Sequence, residues 1–169
     1  MTSPFHKRIY ELKNDPTFSF NVPLKLKNPH PLILKTKKGL ESLDKLIKSN
    51  YETERKIYNE ILHIHTDLKL RNRALRIMNV IISYIFKQNH SIVFEYGNCY
   101  VEMFGQKTEF YLRQKYNRIR NTNERGWSNQ SFVKSNKLEF RAGPSYRHKS
   151  WIDKENKNLK NIFLISLLG

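Results

Sequence analysis

A chain of 169 residues with 38% hydrophobic and 12% aromatic content is long enough for one domain with its own core, which excludes a disordered tail or a scaffold that only disulfides or metals could hold. Its formal net charge of +16, from 31 Lys+Arg against 15 Asp+Glu, points to an anionic partner: nucleic acid, an anionic membrane surface or an acidic protein. One cysteine, Cys99, excludes an intrachain disulfide, and the expected setting is the cytoplasm because no apolar leader opens the chain.

Residues 1–29 read as a basic arm punctuated by Pro4, Pro16, Pro23 and Pro29, each biasing its predecessor toward extended backbone. Within it FSFNVPLKLK (18–27) alternates in places and reads as an edge strand or a cover over the domain. Residues 30–169 are expected to form a single α+β domain. In 30–48, Leu32, Leu40, Leu43 and Ile47 recur at helical spacing, Pro31 suits a first helical turn, and Gly39 weakens the interior. Residues 51–65 are ambiguous: YETERKIYNEIL continues helical, but EILHIHT (60–66) alternates, placing Leu62 and Ile64 on one side and His63 and His65 on the other.

The strongest element is 72–88, where Ala74, Ile77, Met78, Ile81, Ile82 and Ile85 predict a heavily buried helix, with Asn89 as a left-handed residue just past its end. Gly97-Asn98 and Gly105-Gln106 then predict two tight hairpins. Cys99, Val101 and Met103 share one face, as do Phe110 and Leu112, giving a three-strand antiparallel meander whose one face receives the helix. The polar stretch 113–136 reads as a long connection entered from the end of the third strand. KLEFRAG (137–143) follows as a fourth strand with Leu138 and Phe140 inward. Trp151 or Ile152, Leu159, Ile162, Phe163 and Leu167 predict a last helix with Ser150 at its N-cap. With one more strand before the first helix, the expected fold is α+β: an antiparallel sheet of four to five strands packed against helices on one face. The longest apolar runs, such as VIISYIF (80–86), are too short to span a bilayer, so no membrane partner is expected.

Catalytic chemistry has little support. His63 and His65 form an H-x-H pair without a third ligand, and no C-x-x-C occurs, so no metal site is expected. Glu95 and Glu102 flank the first hairpin, and Glu139 with Lys137 imitates half of a metal-dependent nuclease site in reverse order. No glycine-rich phosphate loop is present, and no cofactor is expected.

The basic clusters carry more. Arg113, Lys115, Arg118, Arg120 and Arg125 run through and beyond the third strand, with Trp127 closing the stretch. Arg141, Tyr146, Arg147, His148 and Lys149 surround the fourth strand's end, and Lys154, Lys157 and Lys160 recur along the expected last helix. Arg71, Arg73 and Arg76 open the central helix. Arginine and lysine neutralise phosphates, and interleaved aromatics stack on bases. The nucleic-acid-binding set is therefore Arg113, Lys115, Arg118, Arg120, Arg125, Trp127, Arg141, Tyr146, Arg147, Lys149, Lys154 and Lys157, with the contact centred on YNRIRNTNERGW (116–127). For a lysine stripe alone, a solvated helix face is the ordinary explanation.

Across HPLILKTKKGL, NRALRIMNVIISYIFKQNHSIVF, CYVEMFGQKTEFYLRQKYNRI and the stretch from KLEFRAG to RHKSWIDKENKNLKNIF, the chain resembles an uncharacterised bacterial protein family. That family's pattern reads R-A-L-R-I-x-D-A-L, a hairpin, F-x-L-R-E-K, and a late W-x-D-x-K-x-x-x-L-E. Arg73 to Met78, Phe110 to Lys115 and Trp151 to Leu159 match it, with Asn79 where the family is usually acidic. Longer members begin with a helix-turn-helix-like segment, which implies DNA association; here residues 1–29 stand in its place.

The reading favours a non-enzymatic, nucleic-acid-associated module, with DNA favoured over RNA, as an accessory subunit in a mobile-element or defence context. The alternatives are a metal-dependent nuclease and a structural subunit docking an acidic protein partner. A homodimer through the meander edge stays open.

Overall fold

The structure is a computed structural model that describes residues 21–46 and 50–153, together with Lys7, Tyr10, Glu11, Asn14 and Pro16. The described residues form α1 (Pro31–Asp44), α2 (Tyr51–Tyr58), β1 (Ile64–His65), α3 (Leu68–Lys87), β2 (Ser91–Glu95), β3 (Asn98–Met103), β4 (Gln106–Thr122), β5 (Ser128–Ala142) and β6 (Lys149–Ile152). The fold is α+β. Strands β2 to β6 lie in sequence order as an antiparallel sheet, and β1 pairs in parallel with β4.

Helix α3 is the core's centre because its apolar residues recur on a helical period. Ala74, Met78, Ile81 and Ile82 are fully excluded from solvent, each of the large ones contributing about 1.5–3 kcal/mol by burial. They meet Cys99, Val101, Phe110, Leu112, Leu138 and Phe140 from the sheet. The expected meander and inward faces are found. The helix begins earlier than expected, at Leu68 after Asp67, and Asn89 takes the left-handed conformation at φ 59°.

The first helix runs over most of its expected span with Pro31 at its start. His30 Nδ1 accepts from Leu32 N at 3.2 Å, and His30 N donates to Asn79 Oδ1 at 2.9 Å. Asn79 thus offers the acceptor oxygen that an acidic residue would. Thr36 is fully buried; its hydroxyl donates to Leu32 O at 2.7 Å and accepts from Leu62 N at 3.0 Å, joining α1 to the segment before β1.

Four local expectations are corrected. Residues 21–29 form no strand; Arg76 donates to the carbonyls of Pro23 and Leu24 at 2.9 and 2.8 Å, and Val22 and Leu26 pack on the core. The extra strand is β1 instead, after the second helix. The hairpin turns are centred one residue earlier, on Tyr96-Gly97 and Phe104-Gly105, whose φ values are all positive, as a type I′ turn requires. The polar stretch 113–136 is strand through most of its length: β4 and β5 pair from Phe110↔Ala142 out to Thr122↔Ser128. Finally, Lys149–Ile152 is an edge strand with Trp151 opposite Phe140, so Ser150 caps no helix there. The apolar neighbours Trp151 and Ile152 satisfy a strand as well as a helix start, and the waiting edge of β5 decides. The rest of the expected last helix lies outside the described residues.

Gly39 sits inside α1 because the helix passes close to Ile61. A Cβ at Gly39 would lie 2.7 Å from Ile61 Cγ2, well inside van der Waals contact. Gly39→Ala gains about 1 kcal/mol of helix propensity but meets an overpacking penalty of about 1–3 kcal/mol. Denaturant unfolding should therefore show unchanged or reduced stability, whereas a gain of about 1 kcal/mol would contradict the close approach.

Candidate nucleic-acid interface

Beyond residue 115 the β4–β5 pair leaves the core as a two-stranded ribbon. Every residue from Tyr116 to Gln130 is exposed, and the seven residues from Tyr116 to Thr122 reach about 23 Å. The root is pinned. Between the pairs Gln114↔Leu138 and Tyr116↔Lys134 the register shifts, so Ser135 to Lys137 bulge opposite Lys115. Buried Gln114 accepts from Asp67 N at 3.0 Å and donates to Ser135 O at 2.8 Å. Ser135 Oγ donates to Lys115 O at 2.7 Å, and Lys134 Nζ lies 2.5 Å from Asp67 Oδ1. Lys134 holds the Asp67 carboxyl below its usual range.

The tip, Asn123 to Trp127, is closed by Asn123. Its side-chain oxygen accepts from Arg125 N at 3.1 Å and Trp127 N at 2.9 Å, and its backbone N donates to Trp127 O at 3.0 Å. Gly126 turns the chain at φ 77°, a conformation that a side chain would strain. Trp127 is left 74% exposed at the end of the ribbon.

Directly opposed residues of an antiparallel pair share a face, so the ribbon has two distinct sides. One carries Tyr116, Arg118 and Arg120 opposite Lys134, Phe132 and Gln130. The other carries Asn117, Ile119 and Asn121 opposite Val133, Ser131 and Asn129. Phe132 is 65% exposed. No carboxylate among the described residues pairs with Arg118, Arg120 or Arg125, whereas several arginines of the body are engaged. Arg71 pairs with Asp44 and Arg73 with Asp153.

The remaining candidate residues fall elsewhere. Arg113 and Arg141 flank buried Glu139: Arg113 Nε donates to Oε2 at 2.8 Å, and Arg141 Nε lies 3.2 Å from Oε1. Arg141 also donates to the Tyr111 hydroxyl at 3.3 Å. Burial pushes the Glu139 carboxyl up, but the two guanidiniums outweigh it and hold it below its usual range. Both oxygens of Glu139 face a guanidinium, so this carboxylate is not presented to a metal. Tyr146, Arg147 and Lys149 lie beyond Ala142 at the opposite end of the strands. From Phe110, which pairs with Ala142, to Thr122, which pairs with Ser128, β4 runs about 40 Å. One compact site therefore does not include both them and the tip. Lys115 sits opposite the bulge, and Lys154 and Lys157 lie outside the described residues.

Glu95 does not meet Glu102. It pairs with Lys107 at 2.6 Å, and Glu102 stands opposite Lys107 and Ser91. Among the described residues no three His, Cys, Asp or Glu side chains converge as a metal-binding group, and no helix is long and apolar enough to cross a membrane.

No family model, curated protein or solved structure matches this chain.

Sequence reasoning missed Phe132, Gln130 and Lys134 because it took their segment for a loop. The available signal was weak: Gly126 between two alternating stretches, Arg-Ile-Arg and Ser-Phe-Val-Lys.

His63 is buried, and its Nε2 donates to Tyr58 O at 3.0 Å. Burial pushes its pKa below the ordinary 6.5, more than the Tyr58 carbonyl and Glu109 restore. The unfolded chain therefore binds the proton more readily than the folded one, and stability falls as pH drops through 6.5 toward the lower folded value. His63→Gln should flatten that part of a stability-against-pH curve; an unchanged slope would show that His63 does not titrate in this range.

Proposed function

We propose that the protein is a non-enzymatic nucleic-acid-binding module and that the β4–β5 ribbon is its main contact. The observation that carries this reading is the ribbon's composition relative to its exposure. Arg118 and Arg120 stand without carboxylate partners between exposed Tyr116 and Phe132, on a backbone that leaves the core altogether. Isolated hairpins are at best marginally stable in water, so a long projecting one bearing exposed aromatics is explained by a partner. Net charge supports an anionic partner.

Duplex DNA is the favoured form. The major groove of B-DNA admits a two-stranded ribbon, and Asn or Gln side chains read adenine edges there. The opposite ribbon side presents Asn117, Asn121 and Asn129. The deep, narrow major groove of A-form RNA does not admit such an element. Arginines set affinity through phosphates, while the amides supply what base preference there is. The resemblance to a family whose longer members carry a helix-turn-helix-like segment agrees with DNA association, as does an accessory role beside a protein that reads sequence.

Fluorescence anisotropy on duplex DNA over a salt series tests this. Arg118→Ala with Arg120→Ala should weaken binding to all sequences and reduce the slope of log K against log salt by about 2. A slope equal to that of the unaltered protein would place the phosphate contact elsewhere. Duplex RNA of the same sequence should bind more weakly.

A further inference from the structure

A second feature stands apart from the ribbon. A cleft of about 560 Å³ opens between α2 and the β2–β3 hairpin, within the size range of small-ligand sites. Tyr51, Glu54, Arg55 and Tyr58 of α2 line it together with His63, His65 and the hairpin residues Tyr96, Gly97 and Asn98. Its aromatic surfaces stand at angles around one space. The His63 and His65 rings are 6.0 Å apart and edge-on, and Tyr58 lies 5.3 and 5.8 Å from them. Tyr96 at the hairpin turn is 91% exposed.

The polar groups are left open in a specific way. His63 donates from Nε2 to a carbonyl, so in the neutral ring Nδ1 is an acceptor. No described residue hydrogen-bonds either ring nitrogen of His65, although both imidazoles are in the cleft. Arg55, at the rim, has no carboxylate partner among the described residues. The cleft thus offers planar stacking surfaces, open imidazole nitrogens and one cation, Arg55, with one carboxylate, Glu54, beside it. His65 stands opposite Arg113 on β4.

We propose that this cleft binds one nucleotide unit, with the base against the tyrosine and histidine rings and the phosphate at Arg55. A base has two flat faces and a polar edge, which suits aromatic rings beside open imidazole nitrogens. The same chemistry comes from two sources, a free mononucleotide or an unpaired nucleotide in a strand. The proposal goes beyond the ribbon's role and does not depend on it.

The test uses the full chain, titrated with AMP, GMP, CMP and UMP and, separately, with short single-stranded oligonucleotides, and followed by NMR at the histidine ring protons. Binding of either probe should shift the His65 resonances. Arg55→Gln and Tyr96→Asn should each weaken it by about tenfold; asparagine at position 96 tolerates the positive φ of the turn. The Arg118→Ala with Arg120→Ala protein should retain mononucleotide binding, which separates this proposal from the previous one. A shift with mononucleotides identifies a free nucleotide site, and a shift with oligonucleotides alone identifies an unpaired nucleotide in a strand. If neither probe shifts His65 at millimolar concentration, or if the cleft variants bind like the unaltered protein, the proposal is overturned.

Discussion

Backbone that leaves a core must keep its hydrogen bonds, and a strand can do so only while its partner travels with it. The pairing of β4 with β5 meets that condition along its whole length. Its inner half is core: Phe110, Leu112, Leu138 and Phe140 are buried under α3. Its outer half has no core at all and is held by its ladder, the Asn123 turn and the root at Gln114. A buried amide that satisfies both the start of α3 and the bulge of β5 makes the ribbon's direction a property of the body.

This arrangement divides the positive charge by use. Five arginines of the body are committed to structure: Arg71 and Arg73 to carboxylates, Arg76 to the carbonyls of Pro23 and Leu24, and Arg113 and Arg141 to Glu139. Such pairs are worth little where exposed, but around buried Glu139 they prevent an uncompensated carboxylate. The arginines of the ribbon have no such partners. High net charge alone would not have separated these groups, because charge bears on partners only where it is free to reach them.

The body was legible because its signals are periodic. The apolar stripe of α3, the alternation through Cys99, Val101 and Met103, and Pro31 before α1 each follow from side-chain spacing. The ribbon was not, because its residues are Arg, Asn, Ser and Thr, which read as loop when only composition is weighed. Their strand conformation comes from a neighbouring template, the paired core halves of β4 and β5, and from a turn centred on Gly126. The same template made an edge strand of Lys149–Ile152. The basic cluster was therefore found, but not its division between ribbon, Glu139 and the far loop, since that division depends on registers set by long-range pairing. The H-x-H pair was visible as a motif, while the cleft around it needed α2 and the hairpin brought together.

Hydrogen exchange at backbone amides, with and without duplex DNA, tests the central claim most directly, because a ribbon without a core should exchange early and gain the most from a bound partner. On adding DNA, the amides of residues 116–134 should slow markedly, while those of α3 should change little. Protection confined to α3 or to the residues beyond Ala142, with the ribbon exchanging as before, would contradict the account.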